Sequence, residues 1–234
     1  MSVFRFKHFQ IQQQHAALKV GTDSMVLGSL CHWDSPGKLL DIGTGTGVLA
    51  LMCAQRFPFS EIVGLEISSE AFLDAQINAR NNPFASPISI LNQAIQDYQP
   101  GFQFDAIISN PPFFENSSKN PDDQKTLARH TDSLTFSELL DAIARLLSPT
   151  GKAWIIVPSE SKENLIKLAE STGLFMSDLV EISGKPGKLT RVILSFGKEL
   201  TQIKLSKLYI RTETGTYTEE YKLLTQEFHD RSLD

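Results

Sequence analysis

The sequence has few cysteines, no long apolar run and no excess of positive charge. Its two cysteines, Cys31 and Cys53, lie near no other residue types that bind metals, which argues against a zinc site or a disulfide framework. No stretch reaches the roughly 18 apolar residues of a membrane span. The N-terminal MSVFRFKHFQIQQQH lacks the apolar core and cleavage site of a secretory signal, so we expect a cytoplasmic protein.

The charge balance excludes one broad class of protein. A net charge of −5 argues against a protein that coats nucleic acid with its whole surface, although a local basic face remains compatible with it. No Ser/His/Asp set or metal-ligand cluster is apparent, and we expect no metal. The histidines are scattered along the chain, at His8, His15, His32, His130 and His229.

The apolar pattern alternates between strand-like and helix-like segments. Five predicted strands, with helices between most of them, are KLLDI, EIVGLEIS, PISILNQA, FDAIIS and KAWIIVP. Two further strands flank GKPGK, and KLYIRTETGTYTEEYKLL predicts a hairpin-like element and a terminal helix. Thr22 or Asp23 is expected to cap an early helix, and Ser68 or Ser69 a later one. The pattern predicts a single α/β domain over residues 1–234, a doubly wound and mostly parallel sheet, with an N-terminal arm to about residue 22.

A glycine-rich loop follows the first of these strands. In DIGTGTGVLA, Gly45, Gly47 and Ala50 satisfy the GxGxxG/A pattern of dinucleotide-binding proteins. Asp41 would oppose an incoming pyrophosphate, whereas its charge suits a cationic amino group or a sulfonium ligand; it is also a candidate helix cap. Glu66 ends the second strand, where a carboxylate can accept both hydroxyls of a ribose. The loop therefore predicts a nucleoside-containing ligand of either class.

The stretch SNPPF stops the fourth strand. Proline forces the preceding Asn110 into an extended conformation, and the doubly wound order places this strand end beside the first strand. The Asn110 side-chain oxygen and the Pro111 carbonyl would then offer two hydrogen-bond acceptors, which suit an –NH₂ group. Pro112 stiffens the loop and Phe113 offers a flat surface for a planar group.

These motifs carry a resemblance to a known family. DIGTGTG, Glu66 and NPPF resemble the class I S-adenosylmethionine-dependent methyltransferases that modify amino nitrogens. KVGTDSMVLGS at 19–29, NPPFF and LARHTDSLTFSELLDAIARLLSPTGK are similar to the bacterial tRNA adenine-N6 methyltransferases that act on valine tRNA at position 37, beside the anticodon. The resemblance runs from about residue 5 to YTEEYKLLT. It implies S-adenosyl-L-methionine as the cofactor and a Rossmann-like sheet of seven strands in the order 3-2-1-4-5-7-6, the last antiparallel.

The resemblance also implies roles for individual residues. Asn110, Pro111, Pro112 and Phe113 would hold the target amine as the catalytic group. The glycines would contact the methionine part of the cofactor, Glu66 its ribose, and the segment from Lys19 to Asp23 would close over it. Related sequences tend to carry an acid near the adenine where this chain has Ala94, so Gln93 or Gln96 would contact the adenine instead. The implied cofactor-binding residues are Lys19, Thr22, Asp41, Gly43, Gly45, Gly47, Glu66, Ala94 and Gln96.

If the partner is tRNA, local basic clusters should contact its phosphates. A flipped base needs an unpaired loop position, and we expect the polar segment 114–133 to order over it. The candidate clusters are Arg5, Lys7 and His8; Lys125, Arg129 and His130; and Lys185, Lys188 and Arg191.

Four alternatives stay open at this point. The acceptor could be guanine N2 of ribosomal RNA or a glutamine side-chain amide of a protein, since both offer an –NH₂ group. The glycine pattern also fits a nicotinamide-dependent oxidoreductase, although Asp41 and the proline pair speak against it. A cofactor-binding protein without catalysis is the fourth.

Overall fold

The computed structural model of the protein describes residues 2–34, 36–84, 86–112 and 134–233. A two-stranded hairpin precedes a large mixed sheet of eight strands. The strands are β1 (Val3–Arg5), β2 (Gln10–Gln12), β3 (Lys38–Ile42), β4 (Glu61–Glu66), β5 (Ile88–Asn92), β6 (Phe104–Ser109), β7 (Leu147–Pro158), β8 (Phe175–Ser183), β9 (Leu189–Gly197) and β10 (Lys204–Tyr209). The helices are α1 (Thr22–Leu30), α2 (Val48–Arg56), α3 (Ser69–Arg80), α4 (Phe136–Leu146), α5 (Lys162–Ser171) and α6 (Glu219–Thr225).

The main sheet has eight strands rather than the predicted seven. Its order is β10-β8-β9-β7-β6-β3-β4-β5, and every pair is parallel except those that β9 makes with β7 and β8. Without β10, the strands counted along the chain lie in the order 3-2-1-4-5-7-6. The additional strand begins before, and overlaps the start of, the segment from Lys207 that we expected to form a hairpin-like element. It pairs with the outer side of β8, where the unpaired backbone of an edge strand accepts a further strand.

Helices cover both faces of the sheet. Along β6, Ala106 and Ile108 point into a core shared with α1, α2 and α6, whereas Ile107 points into a second core shared with α4 and α5. This alternation follows from the period of two along a strand. All three side chains are fully buried. The predicted doubly wound α/β class is confirmed.

The predicted N-cap is correct for α3 and wrong for α1. The Ser68 hydroxyl accepts the Ala71 N–H at 3.3 Å, so Ser68 caps α3 as expected. The cap expected at Thr22 or Asp23 is wrong, because α1 begins at Thr22 and its N-cap is Gly21, without a side-chain cap. The start of α1 must therefore be held by other contacts.

The N-terminal hairpin packs onto the first core. Phe6, Phe9 and Ile11 are buried there. On the other side of the arm, the Lys7 N–H donates to the Phe228 carbonyl at 2.9 Å, which joins the two ends of the chain.

Candidate active site

Two strand ends meet at the centre of the sheet, where the carboxyl ends of the parallel strands lie together. Ile42, the last residue of β3, pairs with Ser109, the last residue of β6, and the Ser109 hydroxyl donates to the Ile42 carbonyl at 2.9 Å. The predicted neighbourhood of the first and fourth strands is thus confirmed. It brings the glycine loop and Asn110 to the same edge, where ligands bind in open α/β sheets.

The glycine loop needs its glycines for backbone conformation. Gly43, Gly45 and Gly47 have φ angles of 69°, 57° and 81°, in the left-handed region. A Cβ atom on Gly43 or Gly45 would have no heavy atom within 4 Å, so open space adjoins the backbone there. On Gly47 the Cβ would contact Ala75 of α3 at 3.5 Å. A ligand can therefore approach Gly43 and Gly45 closely, whereas Gly47 lies against α3.

Glu66 braces this loop. Its Oε2 accepts the Gly45 N–H at 2.8 Å and its Oε1 accepts the Ser68 N–H at 2.8 Å, with the residue only 9% exposed. The sequence predicted that Glu66 accepts the hydroxyls of a ribose. In the structure each of its carboxylate oxygens already accepts a backbone N–H group. Each carboxylate oxygen keeps a second lone pair. Glu66 can thus accept ligand hydroxyls while it fixes the loop that faces them.

Asp41 lies under the loop and is fully buried. The Thr44 hydroxyl donates to its Oδ2 at 2.6 Å, while its Oδ1 has no hydrogen-bond partner among the described residues. Burial raises the pKa of Asp41 to about 7, helped by the nearby charge of Glu66 and opposed by the Thr44 hydroxyl and the Ala50 backbone. Asp41 does not cap α2, whose N-cap is Gly47. An unpaired buried carboxylate oxygen is a fitting partner for a ligand cation.

The arm that precedes α1 is fastened beside the glycine loop. Asp74 of α3 accepts the backbone N–H groups of His15 and Ala16 at 2.8 and 2.9 Å. Asn78, one turn further, donates to the carbonyl of Thr46 within the glycine loop at 2.8 Å. Although burial alone would raise it, these hydrogen bonds to Ala16 and His15 hold the pKa of Asp74 below its ordinary value. Helix α3 thereby positions both the arm and the loop.

Lys19 and Thr22 differ in their contacts. The Lys19 ammonium donates to the Gln13 carbonyl at 2.5 Å, so it is held within the arm itself. Thr22 is the exposed first residue of α1. The predicted closure of this segment over a cofactor stays a prediction.

The turn after β5 carries the residues expected beside an adenine. Ala94 is half-buried at the start of a 3₁₀ turn, Ile95–Asp97. The Gln93 amide donates to the Asp97 carbonyl at 3.0 Å, and the Gln96 amide donates to Glu138 of α4 at 3.2 Å. Each glutamine amide nitrogen thus has a protein partner.

Asn110 and its neighbours stand at the end of β6. Asn110 is half-buried, Pro111 is buried and Pro112 is exposed. The Asn110 Nδ2 donates to the Ser24 hydroxyl of α1 at 3.1 Å. This contact turns the amide nitrogen toward α1 and leaves the carbonyl oxygen facing the other way. Phe113 and the segment 114–133, including Lys125, Arg129 and His130, lie outside the described residues.

Basic residues predicted to bind RNA fall into two groups. Lys185 and Lys188 are exposed in the turn between β8 and β9, at the same edge of the sheet as Asn110, because β8 runs parallel to β6. Arg191 instead forms an ion pair with Asp23, with Nε and Oδ2 at 2.9 Å. Exposed Arg5 lies in the N-terminal hairpin, and Lys7 pairs with Glu227 at 3.5 Å. The contacts of these clusters with RNA stay a prediction.

Sequence reasoning missed three residues at this edge. Ser24 gives no local signal, because its partner Asn110 is 86 residues away. Asn92 ends β5 and donates to the Glu66 and Ile67 carbonyls at 2.8 and 3.1 Å, so a polar residue at a strand end was an available signal. Ile67 follows Glu66 and is 57% exposed, an apolar surface beside the loop.

Other classes of site find no support in the described parts of the chain. Among those residues no group of three or more His, Cys, Asp and Glu side chains could hold a metal ion. No helix there is long and apolar enough to cross a membrane. Cys31 and Cys53 are buried, free thiols.

Comparison with known proteins places these features in a family. Residues 15–175 match the "Methyltransferase small domain" family. A protein named "tRNA1(Val) (adenine(37)-N6)-methyltransferase" from Pedobacter heparinus is 40% identical over 228 residues, 97% of each chain. The protein of the same name from Bacteroides fragilis is 37% identical over 230 residues, again 97% of each.

A solved structure confirms the fold at lower identity. The crystal structure of a "predicted O-methyltransferase" from Agrobacterium tumefaciens superposes with a TM-score of 0.68 and 18% identity, covering 88% of this chain and 96% of that one. This likeness concerns the fold alone, whereas the curated relatives match along almost the whole chain. The chain belongs to the methyltransferase small domain family and, within it, to the family of the tRNA1(Val) (adenine(37)-N6)-methyltransferases.

Proposed function

We propose that the protein transfers a methyl group from S-adenosyl-L-methionine to the exocyclic N6 of the adenine at position 37 of tRNA1(Val). The observation that carries this proposal is the place of Asn110. It directly follows the end of β6 beside the glycine loop, with its amide nitrogen bound to Ser24. The near-complete match to relatives that carry this activity in their names supports the choice of acceptor.

The glycine-loop side fits the cofactor. Asp41 Oδ1 is a buried acceptor without a partner among the described residues, which suits the cofactor's ammonium group. The backbone of Gly43 and Gly45 borders open space, and Glu66 can accept the two ribose hydroxyls. Ile67 offers the adenine an apolar face. When bound, S-adenosyl-L-methionine supplies an electrophilic methyl group on a sulfonium centre.

The acceptor side fits an amine with two hydrogens. The Asn110 side-chain oxygen and the Pro111 carbonyl accept those two hydrogens, and Pro112 keeps the turn stiff. An adenine N6 lone pair is delocalised into the ring. Hydrogen bonds from both of its N–H groups to fixed acceptors favour a pyramidal nitrogen with its lone pair available. We include Phe113 as a surface for the base, by its position in the NPPF motif.

Catalysis of this kind needs positioning more than acid–base chemistry. The amine loses its proton after methylation, when the nitrogen is cationic, so no strong base is required. Asn110 and Pro111 accordingly serve as acceptors that hold the nitrogen toward the cofactor.

The proposed tRNA contacts follow from exposed charge at the same edge. Lys185 and Lys188 form no side-chain hydrogen bond or ion pair with the described residues, so their ammonium groups are available to phosphates. We keep Arg5, Lys7 and Arg129 as further phosphate contacts, and assign Arg191 mainly to Asp23. The chain acts as one methyltransferase domain with its N-terminal arm, and tRNA as substrate places it in the cytoplasm.

A product analysis tests this proposal. The purified protein is incubated with methyl-labelled S-adenosyl-L-methionine and, separately, unmodified tRNA, ribosomal RNA and translation factors, and the labelled acceptor is digested. We expect N6-methyladenosine from tRNA alone. Label in N2-methylguanosine or in methylglutamine would overturn the acceptor, and no label in any sample would overturn the enzymatic proposal.

A further inference from the structure

Asn110 is held by a residue far away in sequence. Its Nδ2 donates to the hydroxyl oxygen of Ser24 at 3.1 Å, across 86 residues of chain. Ser24 lies in the first turn of α1 and is 7% exposed, so water competes little for this hydrogen bond. Within the described residues, this hydrogen bond joins α1 to the turn that carries Asn110.

The direction of the Asn110 amide decides what an incoming amine meets. One end of the amide carries an oxygen acceptor and the other carries two N–H donors. The terminal torsion of asparagine is broad and roughly two-fold, so the side chain alone does not choose between the two directions. An amine with two hydrogens is held by the oxygen and repelled by the N–H groups. A fixed partner for the nitrogen is therefore valuable at this position.

The first turn of α1 is itself anchored from the sheet. Gly21 gives α1 no side-chain cap. Asp23 instead forms an ion pair with Arg191 of β9 at 2.9 Å, between residues 168 positions apart. On the inner side, Met25, Val26 and Leu27 are buried in the first core. Ser24 thus sits between an ion pair and a packed apolar stretch, and its position is well defined.

We propose that Ser24 is a positioning residue that holds the Asn110 amide in the direction seen in the structure, with its nitrogen on the Ser24 hydroxyl and its oxygen toward the acceptor amine. The inference rests on the proposed function and adds to it a specific role for α1. It requires an acceptor –NH₂ group at Asn110, whichever molecule carries that group.

Kinetics of Ser24→Ala provide the first test. Removal of one hydrogen bond at the reacting centre should lower kcat about tenfold. The KM for S-adenosyl-L-methionine and the thermal midpoint should change little. Ser24→Thr, which keeps the hydroxyl, should restore most of kcat.

The matched control is Ser29→Ala. Ser29 lies on the same helix and is also buried, at 8% exposure, but its hydroxyl has no partner among the described residues. A decrease of kcat in the control equal to that of Ser24→Ala would overturn the proposal, as would an unchanged kcat in Ser24→Ala.

A second measurement does not depend on any acceptor. In ¹⁵N-labelled protein, the side-chain amide resonances of Asn110 are assigned by their disappearance in Asn110→Asp. We expect Ser24→Ala to shift these resonances and speed their hydrogen exchange, with no change in Ser29→Ala. Unaltered resonances in Ser24→Ala would overturn the inference. If the wild-type protein labels no acceptor, the proposed function fails, while this spectrum still decides whether Ser24 holds the amide.

Discussion

The two sides of the candidate site are built in different ways. On the glycine-loop side, the hydrogen bonds join residues close in sequence: Thr44 to Asp41 across 3 positions, Ser68 to Glu66 across 2, and Gly45 to Glu66 across 21. On the acceptor side, Asn110 is held by Ser24 across 86 positions. The glycine loop is therefore braced within the stretch from β3 to α3, whereas Asn110 is held by a residue from a separate part of the chain.

The largest expected effect comes from the buried acid of the glycine-loop side. The folded-state pKa of Asp41 is about 7, against 3.8 for the ordinary group, because burial disfavours its charged form. Between these pH values the unfolded chain ionises first, so the stability from this group falls as the pH rises. The free energy of unfolding should drop by up to about 4 kcal/mol over that interval.

The measurement is denaturant unfolding of the wild-type protein and of Asp41→Asn from pH 4 to pH 8. Asp41→Asn should remove the decline, because it cannot ionise. Equal pH dependence of both proteins would contradict the assignment of the raised pKa to Asp41.

On the acceptor side, Asn110→Ala should separate binding from chemistry. Removing one preorganised group at a reacting centre costs about 10²–10³-fold in kcat. The affinity for S-adenosyl-L-methionine should stay within about twofold, because Asn110 makes no contact with the glycine loop in the described hydrogen-bond network. Methyl transfer and cofactor titration measure the two quantities.

The control for that change is Asn164→Ala, an exposed asparagine on α5 that should leave both quantities unaltered. A parallel decrease of cofactor affinity in Asn110→Ala would mean that the two sides of the site are not independent.

Glu66→Ala should have the opposite effect to Asn110→Ala, with weaker cofactor binding but an unchanged kcat at saturating cofactor. It removes the acceptor of the Gly45 and Ser68 N–H groups as well as the proposed ribose contact. Removal of hydrogen bonds to a charged group should raise the cofactor Kd by about 10–100-fold. At saturating cofactor, kcat should recover. Glu61→Ala, at the opposite end of β4 and paired with Lys38, should leave the Kd unchanged.

The contrast between contacts close in sequence and contacts between distant segments also explains what the sequence could predict. Strand ends, the three glycines with positive φ, and the neighbourhood of β3 and β6 follow from local patterns and from the rule for parallel sheets. The additional strand β10 was missed because its partner is an edge strand chosen by tertiary packing. Its sequence KLSKLY is mostly exposed, including Leu205 at 73%, and has no strong apolar alternation.

For the candidate site too, local sequence patterns identified residues, whereas contacts set by tertiary packing were missed. Asp41 and Glu66 were identified from their places at strand ends, but their partners were not. Glu66 was predicted to accept ribose hydroxyls, whereas its two backbone contacts depend on the folded path of the loop and of the start of α3. Ser24 and the pairing of Arg191 with Asp23 join segments that no local pattern connects. The sequence analysis predicted that Arg191 contacts RNA but did not predict its ion pair with Asp23, and the RNA contact stays a prediction.

The smallest expected effect concerns Lys185 and Lys188, in the turn between β8 and β9. Lys185→Glu combined with Lys188→Glu should weaken tRNA binding and lower the slope of log K against log salt by about 1 for each phosphate that the protein no longer neutralises. The cofactor Kd should not change, because neither lysine lies near the glycine loop in sequence or in the sheet order. The matched control is Lys167→Glu combined with Lys204→Glu, two exposed lysines on α5 and at the start of β10. Because it makes the same change in net charge, an equal decrease of salt dependence in the control would show that total charge, rather than this turn, attracts the tRNA.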